Sequence, residues 1–423
     1  MKKTVIITAI GSFSAQNVIS ACHAAGMRVV GCDIYPAEWV VNSQDVDAFY
    51  KAPYATDREQ YRNFIKELCE KEQASVLMPL TDVEIDVLQQ WRTELVEDFK
   101  ELGAEVWISD ALAIALCRNK EKMEMFLRER GLCQTIPGVR LWDLEKKPEK
   151  KPGLRYPLVA KPFDGRSSQG LHILESEADL EFLLHTCNEE QKKQYLVQPK
   201  IGGHVITVDV VRNPESGQVF CLPRRELLRT LNGAGTSVCV FRSELLEQQC
   251  RDIAEAVGIR GCVNMEFIEA DRDAGAYYFL ECNPRFAGGV AFSGAAGYDM
   301  AEAHIRCFTG EKLDEMSVTG EQYIARRYTE YHMNDMTQKE GKKMEKQEKP
   351  ILVTRSSMPS FEEFTEMIRP IWDSAWLTNM GEYHETLKEK LKTYLKTPNL
   401  ELFVNGHMAL ELTLQAMKLL LME

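Results

Sequence analysis

Residues 260–289 read RGCVNMEFIEADRDAGAYYFLECNPRFAGG. Two apolar, β-branched and aromatic runs flank a short Asp- and Gly-containing turn, which is the pattern of a β-hairpin. The hairpin brings Glu266 and Glu281 to matched positions, with Asn283 and Arg285 just beyond the second run. Met265 and Phe267 flank Glu266, and Leu280 and Cys282 flank Glu281, so each carboxylate belongs to an apolar strand and needs a partner. Two acidic groups and an amide oxygen at adjoining strand ends suit hard, octahedral magnesium that also takes phosphate oxygens. Arg285 offers a planar fork to an acyl phosphate or to a transferring γ-phosphate. The plainer alternative is a solvated acidic rim on a hairpin.

About a hundred residues upstream stands YPLVAKPFDGRSSQGLHIL, residues 156–174. One strand carries Lys161, a Gly/Ser loop follows, and a second strand begins after Gly170. Gly165 and Gly170 let the backbone approach a polyphosphate, Ser167 and Ser168 add hydroxyl donors, and Lys161 adds a point charge. An ordinary Gly/Ser hairpin with no ligand remains open at this point.

Towards the N-terminus the rhythm is β-turn-α-β. TVIITAI (4–10) is a strand, GSFSAQ a turn, Ala15–Ala25 a helix and MRVVGCD a second strand. A helix near 58–72, the strand ASVLMPL and a helix from Asp82 continue it, which predicts a doubly wound parallel sheet. Gly11 and Asp33 invite a dinucleotide reading, but the G-x-G-x-x-G spacing is absent. CRNKEKMEMFLRERG (117–131) reads as a linking helix, and EKKPEKKPGLRYP (145–157) as a surface loop. Beyond it, strands alternate with helices of mixed polarity in an α+β domain. MNDMTQKEGKKMEKQEKP (333–350) is charged, lacks aromatic residues and reads as a flexible linker. The expected domains are 1–115, 116–331, a linker at 332–350 and a partial module at 351–423.

The bulk numbers narrow the function. With 423 residues, 44% hydrophobic and 27% charged, the chain has the composition of a globular protein of two or three domains. A formal net charge of -13 argues against nucleic acid or an anionic membrane as partner and favours a small molecule. The apolar run of the first residues is shorter than a secretory core, and no window reaches membrane-span length, so a cytoplasmic location is expected. The 12 cysteines lack metal-ligand spacing and sit in runs such as VVGCD and TSVCV, as buried free thiols would. Among the eight histidines, His204 and His304 read as ordinary rim and core residues.

Taken together and in this order, the Lys161 loop and the acidic hairpin resemble the ATP-grasp superfamily, especially the branch with biotin carboxylase, carbamoyl-phosphate synthetase large chains and the pyrrolysine-pathway ligase. The resemblance spans roughly residues 1–330. FLECNPRFAGG is similar to the family's E-x-N-x-R segment, Lys161 in VAKP is the next match, and Lys120 in RNKEKM takes the place of the first nucleotide-binding lysine. The N-terminal sheet then looks like a pre-ATP-grasp domain, with PLTDVEIDVL (79–88) shaping the substrate side. The resemblance implies ATP and magnesium, two ions with manganese as a substitute. It assigns Glu266, Glu281 and Asn283 to metal, Arg285 and Lys161 to catalysis, and Lys120, Lys161, Gly165, Ser167, Ser168, Gly170, Gln198, Ile201 and Asp209 to the nucleotide.

In the hinge YLVQPKIGGHVITVDVV (195–211), Gln198 and Val205 stand where members commonly show glutamate, while Asp209 is kept. Arg224 and Arg225 in CLPRRELLRT look like the family's positive strand facing substrate; a solvated surface pair is the alternative. The implied activity is ADP-forming ligation of a carboxylate to an amine through an acyl phosphate, with homodimerisation a further implication. A carbamoyl-phosphate-synthetase-like activity and a nucleotide-binding scaffold without turnover are the alternatives.

The tail resembles the start of the DegT/DnrJ/EryC1/StrS sugar aminotransferases at WLTNMG (376–381) and NGHMAL (405–410). The second segment implies a helix whose N-terminus holds a cofactor phosphate. The family's Schiff-base lysine lies farther downstream, so this piece alone is not expected to transaminate. Remnant, truncated fusion, docking piece and plain helical appendage stay open, and an amino-sugar or polysaccharide pathway rests on this association alone.

Overall fold

The computed structural model describes residues 3–90, 104–146, 155–163, 170–230, 233–271, 275–333, 359–375 and 380–417. The chain divides into two units, Met1–Glu340 and Gly341–Glu423.

The first unit begins with β1 (Thr4–Ile7), β2 (Arg28–Asp33), β3 (Ala48–Lys51), β4 (Val76–Met78) and β5 (Glu105–Val106). All pair in parallel in the order β3-β2-β1-β4-β5. Their inner residues are apolar, with the polar ones confined to strand ends, because helices cover such a sheet on both faces. β1 stops at Ile7, short of the Ile10 expected from the apolar run, because Ala9 turns to a φ of 50°. The helix Ala15–Ala24 follows. Asp33 closes this first turn from inside, accepting the Gly11 amide at 2.8 Å and the Tyr35 amide at 3.1 Å.

Two short strands, β6 (Gln134–Thr135) and β7 (Val139–Arg140), lead to β8 (Leu158–Pro162), β9 (His172–Leu174) and β10 (Tyr195–Pro199). The order β7-β10-β8-β9 makes a small antiparallel sheet. The larger sheet contains β11 (Gly203–Asn213), β12 (Gln218–Arg229), β13 (Gly235–Val240), β14 (Gly261–Ala270), β15 (Tyr277–Asn283) and β16 (Gln322–Ala325). Its order is β16-β13-β12-β11-β14-β15-β6. The helix Glu244–Val257 buries Leu246, Cys250, Ile253 and Val257 at helical spacing. The helix Met300–Thr309 buries His304, whose Nδ1 accepts the Cys262 amide at 2.9 Å. Burial pulls the His304 imidazole down to about 3. Ten of the 12 free cysteines are buried, and burial pushes the Cys22 thiol up to about 12.

Among the described residues, no helix is long and apolar enough to cross a membrane.

The second unit shows the helices Phe361–Ser374, Glu382–Leu395 and Gly406–Ala416, none with a buried residue. Asn405 caps the last of them by accepting the Met408 amide at 2.9 Å. Most of the charged linker and Trp376–Asn379 lie outside the described residues.

Candidate active site

β14 and β15 are antiparallel, and their register sets Glu266 opposite Glu281 and Asn264 opposite Asn283. Thr207 on β11 pairs with Glu266 on one side and Arg224 on the other, so Arg224, Thr207, Glu266 and Glu281 form a polar row across four strands. Side chains two residues apart share a face, which adds Asn264 and Asn283 to the same side. A β-bulge between Glu266 and Phe267 lies beside this row, at a place where bulges commonly re-aim side chains.

The row floors a cleft of about 660 Å³, of a size that holds a small ligand. Lys120 and Lys161 reach the cleft, as do Arg229, Asn264, Glu266, Glu281, Asn283 and Arg285. Gly11–Ser14 and Leu80–Val83 close it from the N-terminal sheet. Those two segments follow β1 and β4, the neighbouring strands between which the strand order reverses, where open α/β sheets place ligands.

Lys120 opens the helix Lys120–Arg130, whose N-cap is Asn119. Its ammonium lies 3.2 Å from Glu281 Oε2. Lys161 sits on β8 of the small sheet. Burial holds the Lys161 ammonium below its ordinary value, against the pull of Glu281. Burial also acts to raise Glu281, but Lys120, Asn283 and Lys161 outweigh it, and that carboxyl falls below its usual range. Glu266 moves the other way: burial, then the facing Glu281 charge, push it up to about 7.

Two half-buried carboxylates with opposed shifts face each other, a donor pair of the chemistry that suits a divalent cation. A hard cation would remove the repulsion that raises Glu266. Asn283 donates its amide hydrogens to Asn264 at 3.2 Å and to Glu281 at 3.1 Å, which leaves its oxygen as the acceptor.

Arg285 is the most constrained of these groups. Its Nε donates to Asp82 Oδ2 at 2.9 Å, one terminal nitrogen forms an ion pair with the same oxygen at 2.8 Å, and the other terminal nitrogen donates to the Phe286 carbonyl at 3.0 Å.

Several expectations need correction. Asp209 is 0% exposed and is not part of the cleft wall; it accepts from Arg224 at 2.6 Å and from the Ser293 hydroxyl at 2.6 Å, so its carboxylate is engaged inside the protein. Arg224 is not a solvated surface residue; it is 2% exposed and also lies 3.3 Å from Glu226. A guanidinium so buried needs paired carboxylates, and it has two. Arg225 is partly buried and forks onto Glu269. Gln198 is buried too, and its amide donates to the Ile136 carbonyl within the small-sheet region. Gln198, Ile201 and Gly170 are not part of the cleft wall. Gly165, Ser167 and Ser168 lie outside the described residues.

Asp82, Thr207, Glu226 and Asn264 were not singled out from the sequence. Asp82 stood in the quoted PLTDVEIDVL segment as the first residue of a helix, but nothing in one dimension joins it to Arg285.

Residues 191–331 match the family described as "ATP-grasp in the biosynthetic pathway with Ter operon". The carbamoyl phosphate synthase large chain of Clostridium beijerinckii is 26% identical over 239 residues, covering 54% of this chain and 22% of that protein. The corresponding Clostridium perfringens protein is 25% identical over 237 residues, with the same coverage. The chain thus spans about a fifth of the length of these curated relatives. Among solved structures, the biotin carboxylase domain dimer of Hydrogenobacter thermophilus 2-oxoglutarate carboxylase, in complex with MgADP, ADP and bicarbonate, aligns with a TM-score of 0.61 at 20% identity, over 74% of this chain and 71% of that one. N5-carboxyaminoimidazole synthetase from Staphylococcus aureus aligns at 0.58 and 17% identity, over 74% and 79%.

Proposed function

We propose, from the ATP-grasp fold carried by the first unit, that the protein is an ATP- and magnesium-dependent ligase that joins a carboxylate to an amine and releases ADP and phosphate. The observation that carries this reading is the register pair Glu266–Glu281, with Lys120 on Glu281 and Asn283 alongside, facing a cleft that also holds Lys161 and Arg285.

A carboxylate is a poor electrophile because its charge repels an incoming amine and oxide is a bad leaving group. In the proposed sequence a substrate carboxylate oxygen attacks the γ-phosphorus, the β–γ bridging oxygen departs with ADP, and an acyl phosphate results. The amine nitrogen then attacks the acyl carbon, phosphate leaves, and the nitrogen gives up a proton. Magnesium, when bound, would supply neutralisation of phosphate charge. Lys120 and Lys161 hold phosphate oxygens, Glu266, Glu281 and Asn283 form the cation seat, and Arg285 compensates charge on the transferring group. The loops after β1 and β4 border the acid and amine.

Bicarbonate as the acid, giving carbamoyl-type chemistry, is the second reading; carbamoyl phosphate synthases among the relatives and a bicarbonate-bound structural neighbour favour it. We also propose a homodimer, on the likeness to a domain solved as a dimer. The amino-sugar pathway stays attached to the tail alone.

The test is ADP and phosphate release with MgATP across a panel of amino acids, amino sugars and bicarbonate, with Glu281→Gln beside the parent. Release that requires both an acid and an amine, and falls at least about 100-fold in the variant, is expected. Nucleotide binding without turnover across the panel would move the protein to a binding module.

A further inference from the structure

We infer that Asp82 is a positioning residue for Arg285, through which the N-terminal sheet aims the guanidinium at the phosphoryl group in the cleft; this rests on the ligase reading above. Asp82 follows β4 and begins the helix Asp82–Gln90. Its side chain is 8% exposed and reaches the cleft wall. A single carboxylate oxygen accepts from Arg285 Nε at 2.9 Å and pairs with a terminal nitrogen at 2.8 Å, and the Phe286 carbonyl accepts from the other terminal nitrogen at 3.0 Å. A guanidinium has five N–H donors in one plane, so these contacts fix the plane and leave terminal N–H groups for a ligand.

The same carboxylate also faces the other arm of the site. Arg118 lies 3.6 Å from Asp82 Oδ1, while its Nε and a terminal nitrogen bind Asp86 at 2.7 and 3.0 Å. Arg118 stands two residues before Lys120, whose ammonium contacts Glu281. Asp82 therefore sits between two guanidiniums, one next to the lysine arm and one next to the Glu281–Asn283 arm. Charge stabilisation works best when the donor is oriented before the charge develops, and a long arginine side chain is otherwise free to rotate. The bridge joins residues 203 positions apart, so the N-terminal sheet contributes to phosphoryl transfer without touching phosphate.

The test uses the full chain, with calorimetric binding of MgADP alone and of MgADP with aluminium fluoride, a planar phosphoryl mimic. In Asp82→Asn, which keeps shape and removes the charge, MgADP affinity should stay within about 3-fold while the extra affinity contributed by fluoride falls at least about 10-fold. Asp86→Asn removes only the outer partner of Arg118 and should leave both affinities within about 3-fold. The double variant Asp82→Asn with Arg285→Lys should lose far less than the sum of the singles. Full fluoride gain in Asp82→Asn, additive losses, or loss of MgADP binding itself in that variant would each overturn the positioning role. A parent chain that binds MgADP but gains nothing from fluoride also overturns it alone, whereas a parent that binds no MgADP removes the ligase reading and this role with it.

Discussion

Replacing Glu266 with Gln should make the metal-free protein more stable at alkaline pH, although it removes a residue of the cation seat. Glu266 is pushed up from 4.5 to about 7 by burial and by the Glu281 carboxylate opposite it. A carboxyl raised in the folded state binds its proton more tightly there than in the unfolded chain. Its contribution is therefore intact below about 4.5 and is lost as pH rises to about 7. At about 1.4 kcal/mol per pH unit, that window sets a ceiling of roughly 3 kcal/mol. The side chain is 20% exposed, and relaxation around it brings the expected effect to about 1–2 kcal/mol. Arg229, 3.7 Å away and partly exposed, loses little when the charge goes.

The assay is urea denaturation of parent and Glu266→Gln, with chelator and with millimolar magnesium, at about pH 5 and about pH 8. With chelator, the variant should gain its advantage at the higher pH and lose most of it at the lower. Magnesium should stabilise the parent at the higher pH and leave the variant nearly unchanged, because a ligand stabilises only the state that binds it. A variant less stable than the parent at alkaline pH, or one stabilised equally by magnesium, would refute the coupling of these two carboxylates through a cation seat.

Two further outcomes test the corrected placements. Asp209→Asn should cost about 3–5 kcal/mol in a denaturation experiment because it breaks a fully buried pair with Arg224; the folded protein should keep its MgATP affinity within about 3-fold, since Asp209 lies off the cleft wall. Gly203→Ala should lower the thermal midpoint by several degrees or more, because a Cβ there would lie 2.0 Å from the Glu269 carbonyl oxygen across β11 and β14; an unchanged midpoint would contradict that close approach.

The pairing of the two glutamates was legible in one dimension because it is local. Glu266 and Glu281 lie on consecutive strands of a hairpin, so alternation and a short turn nearly dictate their pairing. The parallel N-terminal sheet was legible for a similar reason: its β-α repeat is written in apolar periodicity. The T-V-D-V pattern suggested a nucleotide contact for Asp209 because a strand pattern carries no record of which side chains take up its carboxylate. Asp209 shares a face with Thr207, but its carboxylate is taken by Arg224 from β12 and by the Ser293 hydroxyl.

The sequence alone determined the classes of element, the acidic hairpin, the strand lysine at 161 and the type of chemistry those residues suit, because each depends on neighbours within a few residues or one turn. Tertiary structure decided which polar and charged groups are spent on the protein itself and which remain for a ligand. Arg224 is consumed by Asp209 and Glu226, Gln198 by the Ile136 carbonyl, and Arg285 is held by Asp82 from a different sheet. Such pairings join residues up to 203 positions apart, and a charge read from sequence carries no record of the partner that folding brings within 3 Å.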